Sequence, residues 1–137
     1  MIARSLSKVI SYLNFGNQSL LDEAKKELET LKEIASIKEN VDVWWTIRLI
    51  LIIFRGIERA SLWSVLTHHY KELPFLVSNF IFSHVFAKRT KIHEFFTTQR
   101  SALEKVINKD DGVVISMPTS SGKTRVAEVA ILDTKAK

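Results

Sequence analysis

The residues most able to do chemistry lie in one short loop of the 137-residue chain. The loop reads Met117-Pro118-Thr119-Ser120-Ser121-Gly122-Lys123-Thr124. Small residues let backbone N–H groups converge on phosphate oxygens, and the N-terminus of a following helix adds partial positive charge. In such a loop Lys123 would contact the β- and γ-phosphates, and the Thr124 hydroxyl would bind Mg²⁺. The residue types therefore predict a P-loop for a nucleoside triphosphate with Mg²⁺.

The segments on either side of the loop match the order that a P-loop requires. Residues 113–116 are a short, continuous apolar run, which predicts a buried parallel strand. Residues 125–136 have apolar positions at helical spacing, which predicts a helix. One position departs from the generic pattern, since Met117 stands where the first glycine is expected. The alternative is a serine-rich turn that ends in Gly-Lys-Thr by chance.

With Met117 in place of the first glycine, the loop resembles a motif of a known family. The pattern Pro118-Thr119-x-x-Gly122-Lys123-Thr124 resembles motif I of superfamily 2 helicases, the DExD/H-box class, and the run 117–132 looks most like the Ski2-like branch. Gln99 lies 23 residues before Gly122, close to the spacing of the Q-motif glutamine in that family. The resemblance implies that Gln99 reads the adenine edge of ATP, with Phe95 or Phe96 as a candidate for stacking on the base.

The resemblance also implies the site and its ligands. ATP and Mg²⁺ would be the cofactors, Lys123 and Thr124 the catalytic residues, and Thr124 the metal contact. DNA or RNA would bind to the complete helicase core. The implied ATP-binding residues are Gln99, Pro118, Thr119, Ser120, Ser121, Gly122, Lys123, Thr124 and Arg125.

The resemblance covers only residues 99–137, and no Asp-Glu-x-His or Asp-Glu-x-Asp box occurs in the sequence. Hydrolysis needs such carboxylates for the metal and the attacking water. We therefore expect the N-terminal part of a longer ATP-dependent helicase, inactive by itself. The alternatives are a helical protein-interaction module, a truncated fragment with a non-functional P-loop, or a different P-loop NTPase.

The rest of the chain predicts helices. Helices are predicted at residues 2–13, 19–35, 42–66, 75–86 and 99–107, and in the first two of them the apolar residues lie on one side. The predicted fold is mostly α: an N-terminal helical bundle followed by the start of an α/β RecA-like domain, as helix, strand, P-loop and helix. The predicted domains are 1–87, a helical accessory domain, and 88–137, an incomplete ATP-binding domain. Residues 88–91 mark the boundary by their basic composition.

The segment 42–66 is apolar nearly all round, which favours a position in the centre of a bundle. Its three arginines, Arg48, Arg55 and Arg59, fall on one face and could meet phosphates, although a solvated stripe or ion pairs to glutamates are the simpler interpretation. The aromatic-rich faces of the helical region could also bind a protein partner. The apolar run 43–54 is about half as long as a membrane-spanning helix, so we expect no membrane partner and a cytoplasmic protein.

Composition narrows the remaining possibilities. The chain lacks cysteine, which excludes disulfides and thiolate metal sites. Its four histidines, His68, His69, His84 and His93, have no metal-ligand spacing and are predicted to be structural or surface residues. The net charge is +5, and residues 88–137 carry ten basic and six acidic side chains. A basic excess there suits a polyanion such as ATP or nucleic acid.

Overall fold

The computed structural model describes residues 1–70, 72, 74–87, 91–107, 112–118 and 122–136. Contacts divide the chain into two compact units, Met1–Arg59 and Ala60–Lys137. The helices are α1 (Ile2–Phe15), α2 (Gln18–Ile37), α3 (Val41–Ala60), α4 (Leu62–His69), α5 (Phe75–Phe82), α6 (Thr97–Val106) and α7 (Lys123–Ala136), with a π-helical turn at Ser83–Ala87.

The turn between α1 and α2 is set by two residues. Gly16 adopts the left-handed conformation, with φ 72°, and its N–H donates to the Tyr12 carbonyl at 2.7 Å. The Asn17 side chain then accepts a hydrogen bond from the Ser19 N–H at 3.1 Å and caps α2. The predicted start of this helix at Ser19 was therefore one residue late, because Asn17 supplies the cap.

The first unit buries one apolar cluster between its three helices. Each helix contributes a stripe at 3–4 spacing, as expected for amphipathic helices. The buried residues are Val9, Tyr12, Leu21, Ala24, Leu28, Ile47, Leu51 and Phe54. Helix α3 gives only one of its faces to this cluster.

Partly exposed ion pairs join the polar edges of these helices. The Lys8 Nζ lies 2.8 Å from the Glu23 carboxylate and 2.7 Å from that of Glu27. The Lys25 Nζ lies 2.8 Å from the Glu58 carboxylate. Surface pairs of this kind add little stability individually, so burial of the apolar cluster dominates.

The segment 42–66, predicted as one helix, is two helices broken at Ser61. The buried Ser61 side chain accepts from the Ser64 N–H at 3.1 Å and caps α4. At the same point the Phe95 N–H donates to the Ala60 carbonyl at 2.8 Å, and the Leu62 N–H donates to the His93 carbonyl at 2.9 Å. Backbone groups at the break are thus satisfied by a segment distant in sequence.

The second unit has its own core. It includes Leu62, Trp63, Val65, Leu66, Val77, Ile81, Val85, Phe95, Ala102, Leu103, Ile107, Met117, Val126 and Val129. Trp63 meets Phe82 edge to face, with 5.2 Å between ring centroids. Phe75, the first residue of α5, lies on the surface.

The prediction of a mostly helical fold is confirmed, whereas the predicted strand at residues 113–116 is not formed. The described residues contain no β-strand, and Ser61 with Glu94 forms only an isolated bridge. A strand needs hydrogen bonds from a neighbour, and no backbone hydrogen bond to Val113–Met117 is found within the described part of the chain. Val114 is 98% exposed. The start of a RecA-like sheet is therefore not shown.

Candidate functional site

Helix α7 begins at the residues that the sequence singles out. Gly122 has a backbone φ of 72°, a conformation that residues other than glycine rarely adopt. Its carbonyl accepts a hydrogen bond from the Arg125 N–H at 3.1 Å. Lys123 and Thr124 follow in the first turn, and both side chains are exposed. They are therefore accessible to an anion near the positive end of the helix. Pro118 is also exposed, and Thr119, Ser120 and Ser121 lie outside the described residues.

Gln99 is buried and connects this corner to α6. Its Oε1 accepts from the Phe96 backbone N–H at 2.9 Å, and its Nε2 donates to the Gly122 carbonyl at 3.1 Å. The structure thus brings Gln99 and Gly122 together, although its amide is turned toward protein atoms rather than outward. Reading of adenine by Gln99 stays a prediction. Of the two aromatic candidates for stacking, Phe95 is buried and Phe96 is exposed.

Met117 explains the departure from the generic loop pattern. Its side chain is 9% exposed and belongs to the core of the second unit. A glycine at this position would leave that space unfilled, at the cost that cavities in a packed interior carry. Met117 therefore has a packing role at the position where the pattern has glycine.

A cleft of about 410 Å³ lies beside the start of α7, lined by apolar side chains and by Lys123 and Asp133. The Asp133 carboxylate is buried and accepts from the Tyr70 hydroxyl at 2.8 Å. Burial and this hydrogen bond raise the pKa of Tyr70 well above its ordinary value. Sequence reasoning missed the pair. The available signal was a carboxylate at position 133, four residues after Val129 on the face of α7 that carries the core residues.

Arg125 and Glu128 complete the polar surroundings of α7. The Arg125 Nε is buried without a hydrogen-bond partner among the described residues, and burial lowers the pKa of this guanidinium, opposed by Glu128. The Glu128 carboxylate lies 3.4 Å from the Nε2 of the buried His84. The His84 Nδ1 lies 2.9 Å from the Phe80 carbonyl. His84 therefore connects the π-helical turn to α7.

The described residues contain no group of three or more His, Asp or Glu side chains arranged to hold a metal ion. Among the described histidines, His68 and His69 lie edge to face, with 5.6 Å between their centroids. Burial, followed by the neighbouring His68, lowers the pKa of His69. Thr124 thus has no carboxylate cluster beside it in the described residues, and its contact with Mg²⁺ stays a prediction.

The other candidate site is the side of α3 that faces away from the core of the first unit. At 3.6 residues per turn this side lies opposite Ile47, Leu51 and Phe54. Its large apolar side chains are all exposed, and we call them the outer face of α3: Val41, Trp45, Leu49, Ile52 and Ile53. The face is about 18 Å long, from a rise of 1.5 Å per residue. Most exposed hydrophobic residues occur singly, so a continuous row indicates a contact surface.

Two arginines lie along one edge of this outer face. The Arg48 guanidinium lies 5.1 Å from the Trp44 ring centroid and 5.0 Å from that of Trp45. Arg55 is exposed and lies 3.6 Å from the Glu29 carboxylate. The alternative of an ion pair to a nearby glutamate, drawn from the sequence, is confirmed for Arg55.

The length and apolar character of the helices decide whether any of them could span a membrane. Among the helices in the described residues, none combines the length and the apolar character needed to cross a bilayer.

The chain is similar along its whole length to a curated protein. It is 35% identical over 143 aligned positions to the Hachiman protein HamB of Bacillus cereus, and it spans about 12% of the length of that protein. No protein-family model matches the chain.

These comparisons correct the family that the sequence suggested. The resemblance to the Ski2-like branch of superfamily 2 helicases was wrong as an identification, since the match found over the entire chain is to HamB. The strand that a P-loop domain requires is also not formed in the described residues, which are mostly helical. The triplet Gly122-Lys123-Thr124 alone does not establish a P-loop domain, and its contacts with a nucleotide stay a prediction.

Proposed function

We propose that the chain is a helical protein-interaction module within a longer HamB-like protein. The observation that carries the proposal is the outer face of α3, on which five large apolar side chains lie exposed in a row. The full-length similarity to a stretch that is 12% of HamB supports a place within a larger molecule. Burying such a face removes apolar area from water, at about 25 cal/mol per Å².

A matched pair of substitutions tests this function in two contexts. Leu49→Asp places a charge in the middle of the outer face, and Lys26→Asp places one on an exposed, polar position of α2. In the 137-residue chain alone, both changes should be nearly neutral, because Leu49 is 57% exposed. In the native protein that contains these residues, Leu49→Asp should lower the melting temperature and Lys26→Asp should not.

The measurement is thermal unfolding of the four variants and the two unmodified proteins, monitored by circular dichroism, with the native proteins kept together with any polypeptides that purify with them. A larger effect of Leu49→Asp in the native protein shows that the face is buried there. Equal and small effects of both substitutions in both contexts would contradict the proposed function.

A second candidate function is nucleotide binding at the start of α7. The observation that favours it is the contact between Gln99 and Gly122, which holds the exposed Lys123 and Thr124 beside α6. Here Lys123 would meet the phosphates of ATP, and Thr124 a Mg²⁺ ion that travels with the nucleotide. The remaining loop residues Pro118, Thr119, Ser120, Ser121 and Arg125 stay predicted contacts. Hydrolysis would need carboxylates from elsewhere in a longer chain.

A titration with a fluorescent ATP analogue and Mg²⁺ tests the second candidate. The Lys123→Ala variant should lose binding, whereas Lys105→Ala, which removes an exposed lysine of α6, should retain it. Equal binding by both variants, or none by the unmodified protein, would remove this candidate. Binding of DNA or RNA stays a prediction, and the same titration with labelled oligonucleotides would test it.

A further inference from the structure

The outer face of α3 has a basic edge beside its apolar row, so it can select a partner by charge as well as by apolar contact. Arg48 and Arg55 lie seven residues apart, about two helical turns, and so occupy the same edge. Arg48 stacks beside Trp44 and Trp45, and no carboxylate pairs with it in the described residues. The face therefore presents apolar and cationic groups in parallel rows.

We infer that the outer face of α3 binds an amphipathic helix with an acidic edge, supplied by another part of the longer HamB-like chain. The inference rests on the proposed function and names the partner. The row of five apolar residues is one helix wide and about 18 Å long, which matches the ridge of a second helix. Gly56 lies on the same side, and a Cβ added there would meet nothing within 4 Å, so a helix can approach closely.

Charge is the reason for choosing this occupant. A helix that packs on α3 with Asp or Glu along one edge would place carboxylates opposite Arg48. It would also place them beside Arg55, whose contact with Glu29 is exposed and 3.6 Å long, and this arrangement favours one orientation over its reverse. A second copy of α3 would not do so, because its outer side carries the same arginines and Asp42 as its carboxylate, while Glu58 is bound to Lys25.

The apolar row argues against a nucleic acid. Phosphates could meet the arginines, but they would leave the side chains of Trp45, Leu49 and Ile52 without apolar contacts. A lipid surface could bury the apolar row, so the experiment must distinguish a crosslink to lipid from a crosslink to a protein helix. The length of the relative, of which the chain spans about 12%, is the reason for placing the source in the same polypeptide.

At one end of the outer face a cleft can receive a side chain of the partner. The cleft has a volume of about 290 Å³ and lies between the end of α2 and the start of α3, lined by Trp44, Trp45 and Asn40 among others. Interface anchors are commonly aromatic or aliphatic side chains in pockets of this kind. We expect the partner helix to place such a residue here.

The experiment is photo-crosslinking in the native protein. A benzophenone amino acid replaces Leu49 in one version and Lys26 in the control. Crosslinked peptides are identified by mass spectrometry. The expected product from position 49 joins it to a segment of the same polypeptide outside residues 1–137, with apolar residues at 3–4 spacing and Asp or Glu along one edge. The control should give no such product.

A charge reversal adds the specific test of the acidic edge. The double variant Arg48→Glu with Arg55→Glu should lower the crosslink yield by roughly fivefold or more, because like charges would then face each other. Changing the mapped acidic residues of the partner helix to Lys should restore the yield. An unchanged yield, or the absence of rescue, would overturn the acidic edge and with it the inference.

The other products have separate meanings. A crosslink to a different polypeptide, or to a second copy, overturns this inference but leaves the proposed protein-interaction function standing. A crosslink to lipid or nucleic acid, or no crosslink at all, overturns both. A native gene product that ends at Lys137 also overturns the inference, since no further segment could supply the helix.

Discussion

The two compact units of this chain are held together by different means. The first, Met1–Arg59, joins helices that are neighbours in sequence mainly through an apolar cluster with partly exposed ion pairs around it, and the buried Ser5 hydroxyl donates to the Glu27 carboxylate at 2.9 Å. The second, Ala60–Lys137, joins segments far apart in sequence through buried polar groups as well as an apolar core. Its polar contacts include Gln99 with Gly122 and Tyr70 with Asp133, the latter pair 63 residues apart.

The two units therefore differ in how much stability they lose when a polar contact is removed. Ion pairs that keep contact with water, as in the first unit, can be lost at small cost, whereas a buried polar group that loses its partner in the second unit costs its desolvation energy. Both units also have an apolar core, whose truncation costs more than the loss of a single polar contact.

Core truncation should produce the largest effects in both units. Phe95→Ala in the second unit should cost about 3–5 kcal/mol, and Leu28→Ala in the first about 2–5 kcal/mol, because both side chains are almost fully buried. Hydrogen exchange should show the loss of protection mainly in the unit that carries the substitution. Equal loss in both units for each variant would show that the two do not respond separately.

Gly122→Ala should have the next largest effect. An added Cβ would lie 2.3 Å from the Gln99 Nε2, and the backbone has φ 72°, so alanine meets both a clash and strain of about 1–3 kcal/mol. Denaturant unfolding gives the cost. The same substitution in a Gln99→Ala background should cost less, because the clash is gone. An identical cost in both backgrounds would mean that the contact with Gln99 does not constrain Gly122.

Tyr70→Phe should destabilise the second unit by about 1–3 kcal/mol, because the buried Asp133 carboxylate loses a hydrogen-bond donor. The pKa of Tyr70 is raised in the folded protein, first by burial and then by Asp133. The folded state thus favours the neutral hydroxyl. The contribution of Tyr70 to the free energy of unfolding is complete below the ordinary tyrosine pKa of about 10, and it is lost as the pH rises through the pKa that Tyr70 has in the folded protein.

Unfolding free energies measured at about pH 8 and about pH 11 test the sign of this effect. The unmodified protein should lose more stability on alkalinisation than Tyr70→Phe does. If the two proteins lose the same amount, the Tyr70 hydroxyl has no raised pKa of consequence.

The smallest effect should come from the ion pairs of the first unit. Hydrogen bonds from Lys8, and to a smaller extent from Ser5, lower the pKa of Glu27 in the folded protein. The contribution of Glu27 to the free energy of unfolding is therefore present above the ordinary glutamate pKa, and it is lost as the pH falls through the lowered pKa of the folded protein. Glu27→Gln should therefore reduce the loss of stability on acidification. Lys26→Met, at an exposed lysine, serves as the control, and an equal acid profile for both variants would contradict this role of Glu27.

Much of the helical architecture could be predicted from sequence, because apolar residues at 3–4 spacing report directly on buried helix faces. Residues 2–13 and 75–86 fall in helices, the latter continuing as a π-helical turn. The break at Ser61 was missed because both flanking segments favour helix and the stabilising partners, His93 and Phe95, are distant in sequence. A nonlocal contact of this kind leaves no periodic signal.

The candidate sites were predictable in different degrees. The contact between Gln99 and Gly122 was not predicted, since their spacing was used only to assign Gln99 to adenine, and that role stays a prediction. The predicted strand at 113–116 was wrong, because an apolar run does not supply its own hydrogen-bonding neighbour. The apolar character of residues 42–66 on nearly all sides predicted a place in the centre of a bundle. This prediction was wrong for α3, because the first unit covers only the side with Ile47, Leu51 and Phe54 and leaves the outer face exposed. The domain division at residue 88 stays a prediction, and residues 88–90 lie outside the described part of the chain.

The central claim, that the outer face of α3 is a docking surface, is tested most directly by oxidative footprinting of Trp45 and Leu49. Hydroxyl radicals label side chains in proportion to their exposure, and the comparison is between the 137-residue chain and the native protein that contains it. Both side chains should be labelled in the chain alone, where each is more than half exposed, and protected in the native protein. Equal labelling in the two proteins would contradict the claim.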